Sequence, residues 1–165
     1  MRPLTETDIR ASFVNLSKGE VKRLDMPQGF EDSPWADLDF LGWRDPGAPG
    51  RMYLVAERDG ALIGIALRSV NGAVRGFTSR SMCTLCLTTH SGGGVTLMAA
   101  RRTGSAGRQG NTVGQYLCAD LACSLYIRGI RDTTVGRTLE ETLPTEAKIE
   151  RTLRNLDTFI KRVTG

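Results

Sequence analysis

Towards the end of the chain, Ile149, Leu153, Leu156, Ile160 and Val163 recur at four- and three-residue steps, with Arg, Lys, Glu and Asp between them. That period predicts an amphipathic helix with one docked face and one wet face, started by Pro144 with Thr142 or Thr145. Phe159 falls beside the stripe, at the edge of the apolar face. The opening of the chain carries a shorter helical pattern. Thr5-Glu-Thr-Asp8 resembles a helix start, and Ile9, Phe13 and Leu16 follow at helical spacing. Ser17-Lys-Gly-Glu20 is a capping box opening a second short helix through Leu24.

Between these ends the pattern is that of strands. Residues 52–57 and 61–70 flank Arg58-Asp59-Gly60, a hairpin signal, and Asn71-Gly72 marks another turn before a strand over 73–78. Residues 95–101 and 112–117 form a further hairpin. The segment 103–110 between them holds three glycines and Arg108 and reads as an exposed connector, too flexible to pack, or a mobile basic finger. Residues 25–50 are irregular and rich in Pro, Gly and acid. Trp35, Phe40, Leu41 and Trp43 would not stay in water at that density, so this stretch is an ordered loop clamped by aromatics.

Cysteine adds what periodicity lacks. All four are spent on two short pairs, Cys83-Thr-Leu-Cys86 and Cys118-Ala-Asp-Leu-Ala-Cys123. Two thiolate pairs delivered from sharp turns suit a tetrahedral structural zinc ion, with Zn–S bonds of about 2.3 Å. The first pair lies in a turn-like knuckle, and the second ends an apolar run and enters a helix expected over 119–130. Knuckle, hairpin, then two ligands at a helix start is the order of a treble-clef zinc finger. Redox or disulfide use is the rival, but a thioredoxin-like motif needs one pair beside a βαβ unit. The fold class expected is therefore α+β: antiparallel hairpins with a four-cysteine treble clef, short N-terminal helices and a C-terminal amphipathic helix.

With 165 residues, 40% of them hydrophobic, the chain is long enough for one domain with a real core. No apolar run reaches membrane-spanning length and residues 1–25 are polar throughout, so no signal peptide is expected and the cytoplasm is the expected compartment. Reduced thiols there favour zinc over disulfides. The net charge of +4 is polarised: residues 25–45 carry six acids against Arg44, while residues 75–137 carry eight arginines against Asp120 and Asp132. A basic finger can meet phosphate or an acidic protein face.

Catalytic constellations are missing from the sequence. His90 follows Cys86 by four residues, but four cysteines already fill a tetrahedral shell and leave no open position for water. There is no Walker sequence, GxSxG or HExxH, and Gly92-Gly93-Gly94 turns the chain into the next strand. The adjacent Glu140 and Glu141 diverge and favour a helix start electrostatically. No enzyme is expected.

Asp39-Phe-Leu-Gly-Trp43, the Cys83–Cys86 knuckle, the run Gly114-Gln-Tyr-Leu-Cys118 ending in Cys123, and the helix carrying Leu156-Asp-Thr-Phe-Ile160 together resemble a known family. It is the C-terminal treble-clef domain of elongation factor G-binding proteins, the fusidic-acid-resistance type, and the likeness spans about residues 39–165. The resemblance implies two parts: residues 1–38 as a short helical extension with an acidic loop, and 39–165 as the finger domain. It also implies a binding protein whose zinc finger attaches to elongation factor G and so acts on translation at the ribosome; a monomer without membrane contact is expected. The contact residues it carries over are Met82 before the first cysteine, Tyr116 two before the third, and Phe159 in the last helix. Arg101, Arg102 and Arg108 are expected around them. Met82 is apolar but not aromatic, Val113 stands where the resistance proteins carry a lysine, and their separate helical N-terminal domain has no counterpart in residues 1–50. The alternative is a zinc finger that binds ribosomal RNA or another nucleic acid, distinguished by steep salt dependence. A zinc-based thiol sensor would need accessible cysteines.

Overall fold

The computed structural model describes residues 1–27, 29–70, 80–133 and 141–165. The strands are β1 (Phe40–Arg44), β2 (Arg51–Arg58), β3 (Ala61–Ser69), β4 (Arg80–Met82), β5 (Thr89–Ser91), β6 (Val95–Arg101) and β7 (Thr112–Cys118). The helices are α1 (Glu6–Ser12), α2 (Lys18–Lys22), α3 (Gly104–Arg108), α4 (Cys123–Ile127) and α5 (Thr145–Thr164). Strands β1-β2-β3-β6-β7 form one antiparallel sheet in that order, and β4 pairs with β5 in a separate ribbon. The architecture is the mixed α+β class expected from the sequence. The Asn71-Gly72 turn, the strand over 73–78 and Glu140 lie outside the described residues. Among the described residues no helix is long and apolar enough to cross a membrane.

Strand β2 shows why the sheet sits at the centre. Met52, Tyr53, Leu54, Val55 and Ala56 are consecutive buried residues, the signature of a strand covered on both faces. The turn to β3 has Asp59 at φ 50° and Gly60 at φ 77°, the two left-handed residues that a tight hairpin needs. On one face Phe40, Met52, Leu54, Ile65, Leu67 and Met98 meet the cysteine knuckle and the α5 residues Leu156, Phe159, Ile160 and Val163.

The N-terminal segment covers the other face. Leu4, Ile9, Leu24, Phe30, Trp35 and Leu38 pack on Leu41, Trp43, Tyr53 and Val55 to form a second core. Thr5 and Ser17 each close a capping box, with Asp8 and Glu20. The acidic loop is held by its aromatics as expected: the Trp43 indole donates to Asp25 O at 3.0 Å and the Trp35 indole to Glu31 O at 3.0 Å. Gly64 admits the chain after α1, since a Cβ there would stand 2.5 Å from Ser12 Oγ and 3.1 Å from the Phe13 ring. Buried Asn15 then replaces a missing sheet rung. Its Nδ2 donates to Ala66 O at 2.9 Å and Arg101 O at 3.0 Å, and its Oδ1 accepts from Ala66 N at 2.8 Å. No β6 or β7 residue belongs to this second core. The face bearing Ala99, Arg101, Thr112, Gly114 and Tyr116 is left open or half-open.

Four local expectations differ from the structure. Within residues 25–50, expected to be an irregular loop, Phe40–Arg44 is the edge strand β1, because its backbone pairs with β2 and its apolar side chains bury on both faces of the sheet. The segment 103–110 is ordered: it contains α3, buries Gly107, and is tied to the end of α5 by Thr103 N to Val163 O at 2.9 Å and Thr103 Oγ1 to Thr164 O at 3.0 Å. The helix after Cys118 is shorter than 119–130, because the chain must first turn through Leu121 at φ 57° before α4 begins at Cys123. In α5 the docked face is rotated. Phe159 is 1% exposed and lies in the core, whereas Leu153 is only partly buried.

Candidate metal centre

The four cysteines come from three elements. Cys83 and Cys86 stand on the knuckle between β4 and β5, Cys118 ends β7, and Cys123 is the first residue of α4. Ribbon pairing of Met82 with Thr89 closes the knuckle, Cys83 N donates to Thr88 O at 3.0 Å and Leu87 N to Cys83 O at 2.9 Å, with Leu87 at φ 60°. The second turn is built the same way: Leu121 N donates to Cys118 O at 2.9 Å, and Asp120 Oδ1 accepts from Ala122 N at 3.0 Å.

All four thiols are buried and their sulfurs lie within 4.8 Å of one another. Cys83 and Cys123 sulfurs are 3.7 Å apart, and those of Cys86 and Cys118 are 3.6 Å apart. A disulfide needs about 2.05 Å, whereas bonds of about 2.3 Å to a tetrahedral centre set sulfurs about 3.8 Å apart. The geometry fits one structural Zn2+ held by four thiolates. Electrostatics agree. Hydrogen bonds from Cys118, Cys123 and Cys86 hold the Cys83 thiol well below its usual range, while the same cluster pushes Cys123 up. Thiolates this close repel one another, and a divalent cation between them removes that conflict.

A second layer orients these ligands. His90 Nε2 lies 3.3 Å from Cys118 Sγ, and its ring meets Tyr126 edge-on at 4.7 Å between centroids. Burial lowers the His90 pKa, which favours the neutral ring beside the Cys118 sulfur, where its Nε2 is within hydrogen-bonding distance. The Tyr126 hydroxyl donates to Asp120 Oδ2 at 2.8 Å, where Arg131 also binds at 2.9 Å. From α5, Asn155 Nδ2 donates to Leu85 O at 2.8 Å and Arg151 to Cys86 O at 3.2 Å, and Arg151 pairs with Glu141. Thus the last helix grips the knuckle backbone as well as the sheet.

Strand β1 explains the Asp39-Phe-Leu-Gly-Trp43 motif. Asp39 takes a two-pronged ion pair from Arg128 at 2.6 and 2.8 Å, and its N–H donates to Ser124 Oγ at 3.0 Å. At Gly42 a Cβ would lie 2.5 Å from Leu121 Cβ and 3.0 Å from Leu121 O. The motif is the seat for the turn that carries Cys118 and Cys123.

The remaining sequence-predicted residues separate into three places. Tyr116 and Met82 are 39% and 54% exposed, and they share the knuckle edge, because Thr84 N donates to Tyr116 O at 2.8 Å and Thr84 Oγ1 to the same oxygen at 2.8 Å. Phe159 is in the core and presents no surface to a partner. Arg101 pairs with Thr112 in the sheet, four residues along β7 from Tyr116, and bonds Glu20 at 3.0 Å. Arg102 and Arg108 stand on that same far side, lining a hollow with Arg101 and Glu20. Leu87, 37% exposed at the knuckle tip, was missed by sequence reasoning. An isolated leucine between Cys86 and Thr88 carries no signal until the turn pushes it outward.

A family model, the FBP C-terminal treble-clef zinc-finger, matches residues 8–163. No curated protein and no solved structure matches the chain.

Proposed function

The chain belongs to the FBP C-terminal treble-clef zinc-finger family, and from that membership we propose that it is a non-catalytic binding protein whose finger docks on elongation factor G. One observation carries the reading. Met82, Leu87 and Tyr116 are exposed large hydrophobic residues grouped around a single metal-locked knuckle. A small rigid apolar anchor is what concentrates affinity in a protein interface. The zinc holds that anchor in place and does no chemistry, since four thiolates leave no position for a substrate.

Through this contact the protein acts on translation at the ribosome, where elongation factor G works. Phe159 contributes by fixing α5 rather than by touching the partner. The test is a pull-down of tagged protein from the cytosol of its own source after nuclease treatment. Elongation factor G retained by the wild type and lost with Met82→Asp supports the reading. Elongation factor G absent from the wild-type eluate contradicts it.

A further inference from the structure

The open half of the second sheet face carries a feature that the metal centre does not use. A trough of about 500 Å³ lies between the N-terminal segment and strands β2, β3 and β6, and Arg23, Arg51, Arg68 and Arg101 line it. It runs into a second hollow lined by Arg102 and Arg108, sharing Asn15, Leu16, Glu20, Arg23 and Arg101 with the first. Glu20 is the one carboxylate among the residues lining either part, and it is already bonded to Arg101 and to the Ser17 N–H.

Two of these arginines are placed against the rules of sheet stability. Arg51 is the direct cross-strand partner of Arg68, on strands about 4.8 Å apart. Like charges in that position repel, and among the described residues neither joins an ion pair with a carboxylate. The floor beside them is low: Ala66 and Ala99 are small, Tyr53 and Leu67 are buried, and Leu16 is half-buried at the wall, while Val14 is exposed at the rim of the second hollow. A protein partner needs an apolar anchor to fill such a recess. This one has no exposed aromatic to serve as that anchor, and its dominant exposed groups are forked cations over a low floor, which suits the oxygen edges of phosphate.

We propose that this trough binds the sugar–phosphate backbone of a single-stranded nucleic acid, on the sheet face opposite the zinc site. Arg51 and Arg68 take neighbouring phosphates, Arg101 and Arg23 continue the track, and Arg102 and Arg108 extend it past α3. A strand rather than a duplex is the occupant, because the recess is closed along one side by the N-terminal segment. Tyr116 stands on the same open face, four residues along β7 from Thr112 at the trough's edge, but none of the residues lining the trough belongs to the apolar knuckle.

The experiment is fluorescence anisotropy of the zinc-loaded full chain with a short mixed-sequence single-stranded oligoribonucleotide, between about 50 and about 200 mM salt. Arg51→Ala/Arg68→Ala should weaken binding at least about tenfold at the lower salt and flatten the salt slope by about 1.4, the value for two lost phosphate contacts on a single strand. Arg68→Glu should weaken it further while holding or raising the thermal transition, since it replaces a cross-strand repulsion by an attraction. Arg154→Ala, exposed on α5, should change nothing. Zinc content must stay unchanged in all three. Inorganic phosphate and a mononucleotide should compete only at far higher concentration than the strand. The proposal is overturned if wild type does not bind the strand at the lower salt or if the slope survives the double substitution. Equal competition by a mononucleotide, a duplex or polyglutamate also overturns it.

Discussion

Gly42 is the single residue on which the sheet and the metal turn depend most closely. Alanine there drives a methyl group into Leu121 Cβ and its carbonyl. Neither is the end of a flexible chain, so the Cys118–Cys123 turn must move. Gly42→Ala should cost about 1–3 kcal/mol and loosen zinc, read together by thermal unfolding and by competition with a chromogenic chelator. An unchanged zinc affinity would mean that the turn accommodates the methyl group. The cysteine set was legible in the sequence because two tight pairs carry their own geometry. Phe159 was not. Its side of α5 depends on how the helix rolls onto β6 and β7, and a one-residue shift in the stripe exchanges it with Leu153. The arginines were equally opaque: Arg101 and Tyr116 belong to one hairpin, yet register sets them at opposite ends of it.

Among the elements, α5 and α2 make contrasting demands. On α5, Leu156 is fully buried beneath the sheet, so Leu156→Ala should cost about 2–5 kcal/mol in denaturant unfolding, with Leu153→Ala well below that. Equal losses would show that the helix docks on the stripe read from sequence instead. On α2, the Ser17 N–H and hydroxyl, with Arg101, bring the Glu20 carboxyl down to about 2. A depressed carboxylate stabilises the fold above its unfolded value near 4.5 and loses that contribution as pH falls through about 2. Wild type and Glu20→Gln should therefore differ in unfolding midpoint at neutral pH and converge between those limits. A gap that stays constant down to pH 2 would contradict the linkage. The Ser17–Glu20 capping box, the helix start at Thr5–Asp8 and the hairpin turn at Asp59-Gly60 could be read directly, since each uses residues within four positions. Helix α3 could not: the three glycines of segment 103–110 argue for a loop, and the ties from Thr103 to the end of α5 order it.

At the scale of the whole molecule, one sheet separates two cores. Zinc, knuckle and α5 hold one face, and the N-terminal segment holds the other. Removing the metal exposes four buried thiols and frees both turns, so a strong chelator at neutral pH should abolish the cooperative thermal transition, as it does where binding energy is folding energy. A transition left intact by the chelator would leave the metal as a local clip only. The protein-binding claim is tested most directly by calorimetric titration of zinc-loaded protein into elongation factor G, wild type beside Tyr116→Ala. The account predicts binding by the wild type and a loss of about 2 kcal/mol or more in the variant, with zinc content and thermal transition unchanged. Equal binding by both proteins, or none by either, would contradict it.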